Sequence, residues 1–386
     1  MDHRFTRVMG LSGGAIFAVI LGAGLWPFHA PKNHVEWLKE RNGLAFYGSG
    51  IALSQGAFQR GDSDAGESIS VWLEPWLHDG GRTILSFNDS IRPYTRFALR
   101  QEGNALTVRR RETAADGSPF SDVIVIENVL HPGQPIFISV TLGERNTNVY
   151  VNGTLVKPSP TAGTAPKSLT GQLLLADSAT GHSIWPGKLF GLAIYKRELT
   201  APQVLRSYQN WTKNPGSISQ GTDLTALYRF NEGQGSLAHN EVNPATSLSI
   251  PRRYFILYPK LLATPQDEYE ATWDYWHDIL VNIAGFVPLG LWGIVYLSSV
   301  RPVAHPAALT VLIGFVTSLT IEVSQAFLPT RHSGMTDLIT NTLGTVIGIY
   351  MVRWHMVADG IRRMKERFEA FSEITEARKE MAAVSE

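Results

Sequence analysis

The chain has 386 residues, with 34 Lys plus Arg against 34 Asp plus Glu, so its net charge is zero and no bulk attraction to nucleic acid operates. It contains no Cys, which excludes disulfides, thiolate metal sites and a cysteine nucleophile. Apolar residues make up 44% and charged residues 18%, an average that hides apolar ends around a polar middle.

The first element is residues 8–26, "VMGLSGGAIFAVILGAGLW", uncharged and long enough to cross about 30 Å of hydrocarbon as a helix. Arg4 and Arg7 precede it and no clean A-x-A cleavage site follows, so it reads as a retained span. Trp26 and Trp37 in the following "WPFHAPKNHVEW" read as interfacial anchors. Residues 1–41 are thus assigned to a first span and its exit.

Residues 42–245 change pattern. "ESISVWLEPW", "TILSFND", "RFALRQ", "ALTVRRR", "DVIVIENV", "PIFISVTLG", "GQLLLAD", "KLFGLAIYKREL" and "LTALYRFNEG" are short apolar runs cut by Gly, Asn, Asp and Pro, as in an all-β sandwich. "VYVNGTLV" reads as a hairpin, because Asn152-Gly153 supplies the positive φ angles of a type I′ turn. In order, "ISVWLEPW", "ILSFND", "VTLGERNTNVYVNGTLV" and "FGLAIYKRELTAPQVLRSYQNW" resemble concanavalin A-like lectin and laminin G-type domains. The resemblance implies a jelly-roll sandwich. "LTALYRFNEGQGSLAHN" resembles the strand that usually opens such domains, yet it comes last here. A permuted order closes the same sheet, and it predicts that the two ends of the domain lie close together. The family often binds sugars. For that role Trp185 in "GHSIWPG" is the candidate stacking platform, and Asn88 and Asp89 are candidate partners for hydroxyls. Each also has a structural reading, Trp185 as a core cap and the Asx residues as turn formers.

Residues 246–276 carry Arg252, Arg253, Tyr254, Phe255, Tyr258, Trp273, Tyr275 and Trp276, and read as an interfacial linker on the outer leaflet. Three further spans follow, over 279–298, 306–327 and the shorter, more polar 336–352, within a core of residues 277–354. Residues 355–386 read as a cytoplasmic amphipathic helix, with Ile361, Met364, Phe368, Phe371 and Ile374 on one side. Arg4 and Arg7, Arg301, and the Arg353 to Arg367 cluster place both termini inside and the sandwich outside. Arg331, in the outer loop "LPTRHSG", is the exception to that rule.

The spans carry polar pairs at helical spacing: Asp278 and Asn282, Glu322 and Gln325, Asp337 and Asn341. Each pair shares its face with small residues that let helices approach closely: Gly285 and Gly293, Gly314 and Ser318, Gly344 and Gly348. By the predicted orientation all three pairs sit at the outer helix ends, beside Arg331 and His332. The expectation is one membrane-surface polar site in which Arg331 pairs with Glu322, Asp337 and Asp278.

"LWPFHAPKN", "DILVNIAGFVPLG" and "EVSQAFLPTRHSGMTDLITNTLGTVIG" resemble the VanZ-like family of bacterial membrane proteins. That resemblance implies a multi-pass protein of the bacterial cytoplasmic (inner) membrane and an association with glycopeptide (teicoplanin) resistance, without naming a reaction. The expected fold is therefore a multidomain membrane protein: a four-span α-helical bundle with an all-β, concanavalin A-like jelly roll inserted in its first outer loop. The expected function is an envelope protein that binds glycan through the sandwich and a lipid or lipid-linked saccharide headgroup at the polar site, with Arg331 gripping phosphate. One alternative is an intramembrane enzyme acting on lipid-linked sugars, with Glu322 or Asp337 as base and Arg331 stabilising charge. The other is a non-catalytic scaffold holding envelope proteins. No catalytic set is legible, and neither a metal nor a cofactor is expected.

Overall fold

The computed structural model describes residues 3–59, 66–78, 80–89, 94–113, 119–143, 146–160, 169–181, 183–213, 223–269, 273–301, 303–331 and 333–355. His332 and the tail expected to form an amphipathic helix lie outside the described residues. Helix α1 (His3–Leu25) comes first. The strands follow as β1 (Val35–Trp37), β2 (Leu44–Phe46), β3 (Ala52–Ser54), β4 (Glu67–Pro75), β5 (Gly81–Asn88), β6 (Thr95–Glu102), β7 (Ala105–Thr113) and β8 (Pro119–Ile126). Then come β9 (Ile136–Leu142), β10 (Asn146–Val151), β11 (Thr154–Pro160), β12 (Gln172–Leu175), β13 (Gly187–Tyr195), helix α2 (Ala201–Lys213), β14 (Leu224–Tyr228), β15 (Leu237–Ala238) and β16 (Leu248–Ser249). Helices α3 (Pro265–Glu268), α4 (Trp273–Val295) and α5 (Pro306–Gln325) precede a last helix, α6, over residues 335–355. The chain divides into two units, Ala30–Pro259 and the remainder.

The first unit is a β-sandwich. One sheet runs β1-β2-β13-β4-β9-β10-β11, with β14 also on β13, and the other runs β15-β16-β3-β12-β5-β6-β7-β8. Alternation along the strands sends Ile69, Val71 and Leu73 of β4, Phe97 and Leu99 of β6, and Leu106 and Val108 of β7 into one core between the sheets. The opposite face of β4 is covered too. Trp72 and Phe137 pack there with Trp211 of α2, a helix the strand pattern did not predict. The β10–β11 hairpin turns at Asn152 and Gly153, with φ of 50° and 82°.

β2 and β14 pair with different stretches of β13, so an early and a late strand of the unit share a neighbour. The ends of the unit meet as well, since Lys32 bridges to Arg253. The unit is longer than the expected 42–245. Trp37 belongs to β1, packs against the sandwich core and donates from Nε1 to the Gly235 carbonyl at 2.9 Å, so it is not a membrane anchor. Tyr254 is 1% exposed and donates to Asp177 Oδ2 at 2.6 Å, while Arg253 donates to the Ala30 carbonyl. Residues 246–259 therefore close the sandwich instead of forming an interfacial linker.

In the second unit α1, α4 and α5 pack together, with Ile20, Phe286, Leu289 and Ile321 buried at their contact. Thr6–Leu25, Tyr275–Val300 and Pro306–Gln325 are long and apolar enough to cross a membrane, by length and composition. α6 is continuous but more polar. Its Gly344 and Gly348 lie against the Ile283 and Val287 carbonyls of α4, and Gly290 of α4 lies against the Thr345 carbonyl. Backbones approach this closely only where no Cβ intervenes.

Candidate functional site

The polar layer of the helical unit starts from α5, where Ser318, Glu322 and Gln325 fall on one face at i, i+4 and i+7. Glu322 is 1% exposed, and its Oε2 accepts the Gly334 N–H at 2.8 Å. Gly334 immediately precedes α6. Two residues on, Thr336 donates from its N–H at 3.1 Å and its hydroxyl at 2.6 Å to Glu268 Oε2. A helix start leaves its first N–H groups without intrahelical partners and carries positive dipole charge, so two carboxylates fit it well. Glu268 has no helical-seam spacing to the later spans, and the sequence pattern gave no signal for it. Around it a short bridge pairs Ala263 with Gly334, and the Leu262 N–H donates to Ser333 Oγ at 3.1 Å.

Deeper in the layer, Asn282 Nδ2 donates to Asp337 Oδ1 at 2.7 Å, and Asn341 Nδ2 donates to Ser318 Oγ at 3.0 Å. Gln325 Nε2 donates to the Gly24 carbonyl of α1 at 2.8 Å. Each polar side chain thus ties one helix to another. Among the described residues two acceptors of the layer are left over: Gln325 Oε1 and Asn341 Oδ1 are buried without a hydrogen-bond partner there, in residues only 7% and 4% exposed.

Three expectations are corrected. Among the described residues Arg331 pairs with no carboxylate; its guanidinium donates to the Trp26 carbonyl, at 2.9 Å from Nε, and to the Ala23 carbonyl at 3.3 Å. It caps the C-terminal end of α1, where the dipole favours a cation. Asp278 stands outside the layer, with its side chain 78% exposed and His277 Nδ1 3.8 Å away. Gly285 is likewise off the seam, facing open space. The structure brings together Asn282, Glu322, Gln325, Asp337 and Asn341, and adds Glu268, Ser318 and Thr336. No cluster of three or more His, Asp or Glu suited to a metal ion occurs among the described residues.

In the sandwich, the residues proposed for sugar contact are placed elsewhere. Trp185 is fully buried, and its Nε1 donates to Gln101 Oε1 at 2.8 Å, so no ring face is open to a sugar. Asn88 is fully buried and donates to Ser86 Oγ at 3.0 Å. Asp89 is paired with Arg96. A concavity of about 470 Å³ lies instead on the outer face of β5–β8, where Arg100, Arg109 and Arg111 stand among Ser and Thr hydroxyls. Arg100 is held below the ordinary guanidinium range, first by burial and then by neighbouring Arg109, against the opposing pull of Glu102.

Comparison with known proteins finds two families, one of whose matches begins at β14, inside the sandwich unit. A family described as VanZ/LLP1 matches residues 224–356, and one described as the concanavalin A-like lectin/glucanases superfamily matches residues 47–205. Solved structures similar to the sandwich include the botulinum neurotoxin type G receptor binding domain, at 16% identity over 45% of this chain and 50% of that chain, TM-score 0.31. Another is the botulinum neurotoxin serotype D ligand binding domain in complex with N-acetylneuraminic acid, at 12% identity over 47% of this chain and 45% of that chain, TM-score 0.35. The chain spans half or less of the length of these structures. Among curated proteins, none matches this chain.

Proposed function

We propose that this chain, a VanZ-like membrane domain carrying a concanavalin A-like sandwich, is a four-span protein of the bacterial cytoplasmic membrane that binds saccharide outside and a lipid headgroup in its bundle. α6 is the fourth span. Arg4, Arg7, Arg301 and Arg353 support placing both termini in the cytoplasm and the sandwich outside. The observation that carries the headgroup reading is the pair of buried acceptors, Gln325 Oε1 and Asn341 Oδ1, that no group among the described residues satisfies. Buried polar atoms are normally hydrogen-bonded, so two orphans beside Glu322 and Asp337 point to a ligand that donates. Arg331 is engaged at the end of α1. The headgroup is therefore held by amine or sugar-hydroxyl hydrogens and not by its phosphate. The role is binding, without a catalytic step.

Native mass spectrometry of the full chain released from nanodiscs tests this with two matched pairs. Phosphatidylethanolamine and phosphatidylcholine share a phosphate but differ in N–H donors. Glucosyl diacylglycerol and diacylglycerol differ in sugar hydroxyls. The donor-bearing lipid of one pair is expected to be retained, identifying the source, with a loss of about tenfold in Asn341→Leu or Gln325→Met. Equal retention within both pairs refutes the headgroup reading.

A further inference from the structure

We propose that the outer face of β5–β8 binds an anionic saccharide, one bearing carboxylate or phosphate groups. The inference rests on the reading of the sandwich as glycan-binding and gives it a site and a ligand class.

The pairing register builds the site. Ala98 lies opposite Arg109 and Arg111 opposite Ser121, while Arg100 lies opposite Thr83 on the other side. Because side chains alternate along a strand, Arg100, Arg109 and Arg111 share the face away from the core, which Phe97, Leu99 and Val108 fill. Charge on this face is under-compensated. Glu102 Oε1 serves two guanidinium groups, at 2.9 Å from Arg109 Nη2 and 3.5 Å from Arg100 Nε. Among the described residues no carboxylate pairs with Arg111. Among the described residues three guanidinium groups stand against one carboxylate, an excess of two positive charges, and the neighbouring Arg96 is already matched by Asp89.

The lining decides what ligand fits. Among the described residues it contains no aromatic side chain, so those residues offer a neutral sugar no ring to stack on. It does contain hydroxyls, among them Ser86, Thr95 and Ser183, which hydrogen-bond a saccharide as donors or acceptors. Guanidinium forks match carboxylate and phosphate oxygens in pairs. At about 470 Å³ the concavity falls within the range of small-ligand sites. A solvated basic face would serve solubility without a concavity and with interspersed acids; here no acid is among the described residues that line the hollow.

Calorimetric titration of the full chain in detergent tests this with trigalacturonate against its methyl ester, and mannose 6-phosphate against mannose. One or both acid forms are expected to bind at least about tenfold tighter than the neutral partner, and more weakly as salt is raised. Which pair responds distinguishes carboxylate from phosphate. Arg109→Gln with Arg111→Gln is expected to lose about tenfold. Glu102→Gln is expected to gain affinity for the acid form, an effect that misfolding cannot imitate. Equal binding of acid and neutral forms, or no gain in Glu102→Gln, overturns the anionic inference and leaves the glycan reading standing. Binding of no member of either pair overturns the groove as a site, and an array of neutral saccharides then decides whether the glycan reading falls with it.

Discussion

Glu322 is a carboxylate 1% exposed on an otherwise apolar helix, and its partner is a backbone N–H. The residue type and depth were legible from spacing alone, but the partner was not. Arg331 is nine residues on, across a turn whose path the sequence does not specify, and it reaches back to α1 instead. Two consequences separate the paired reading from the observed one. Glu322→Gln keeps a side-chain oxygen for Gly334 and is expected to melt close to wild type, whereas Glu322→Leu strands that N–H and costs about 1–3 kcal/mol. Arg331→Gln loses its charge at the end of α1 and costs about 1 kcal/mol. Because the two residues serve different helix ends, the double variant Glu322→Leu, Arg331→Gln should show the sum of the single losses in thermal melts of detergent-solubilised protein. Rescue in the double variant would restore the ion pair that the structure replaces.

At the scale of elements, the seam between α4 and α6 is a backbone contact. A Cβ built on Gly344 would meet the Ile283 carbonyl, and one on Gly348 the Val287 carbonyl, both well inside van der Waals distance. Gly285 has nothing within 4 Å. Gly344→Ala should therefore force the helices apart and cost about 1–3 kcal/mol, while Gly285→Ala should be silent or slightly stabilising. Comparing the two melts checks this directly, and an equal response from both positions would refute the seam. The periodicity that predicted the seam was sound for Gly293, Gly314, Gly344 and Gly348. It misplaced Gly285 because the buried face of α4 runs through Phe286, Leu289 and Gly290, one position away. It misplaced Asp278 because that residue sits in the second turn of α4, where its side chain finds solvent.

For the whole molecule, the long strands of the sandwich were readable because each carries its own alternating apolar run. The closing pieces were not: β1, β3, β15 and β16 are two or three residues long, too short to show a period. They nevertheless hold the ends together. Asn33 is 5% exposed, accepts the Ile51 N–H at 2.7 Å, and donates to the Ile51 and Pro251 carbonyls at 2.9 and 2.8 Å. Tyr254 donates to the buried Asp177, and β16 pairs with β3. A fragment of residues 42–245 would delete Asn33, Tyr254 and β16, leaving Ile51 and Asp177 without these partners. At about 1–3 kcal/mol for each buried group left unsatisfied, the loss consumes much of the 5–15 kcal/mol typical of a domain. The fragment 30–259 should therefore melt cooperatively, and 42–245 should melt at least about 10 °C lower or without cooperativity. Asn33→Leu within the longer fragment should reproduce part of that deficit, because it removes the side-chain bonds and leaves the strands in place. Equal melting temperatures for the two fragments would return the domain boundary to residues 42 and 245.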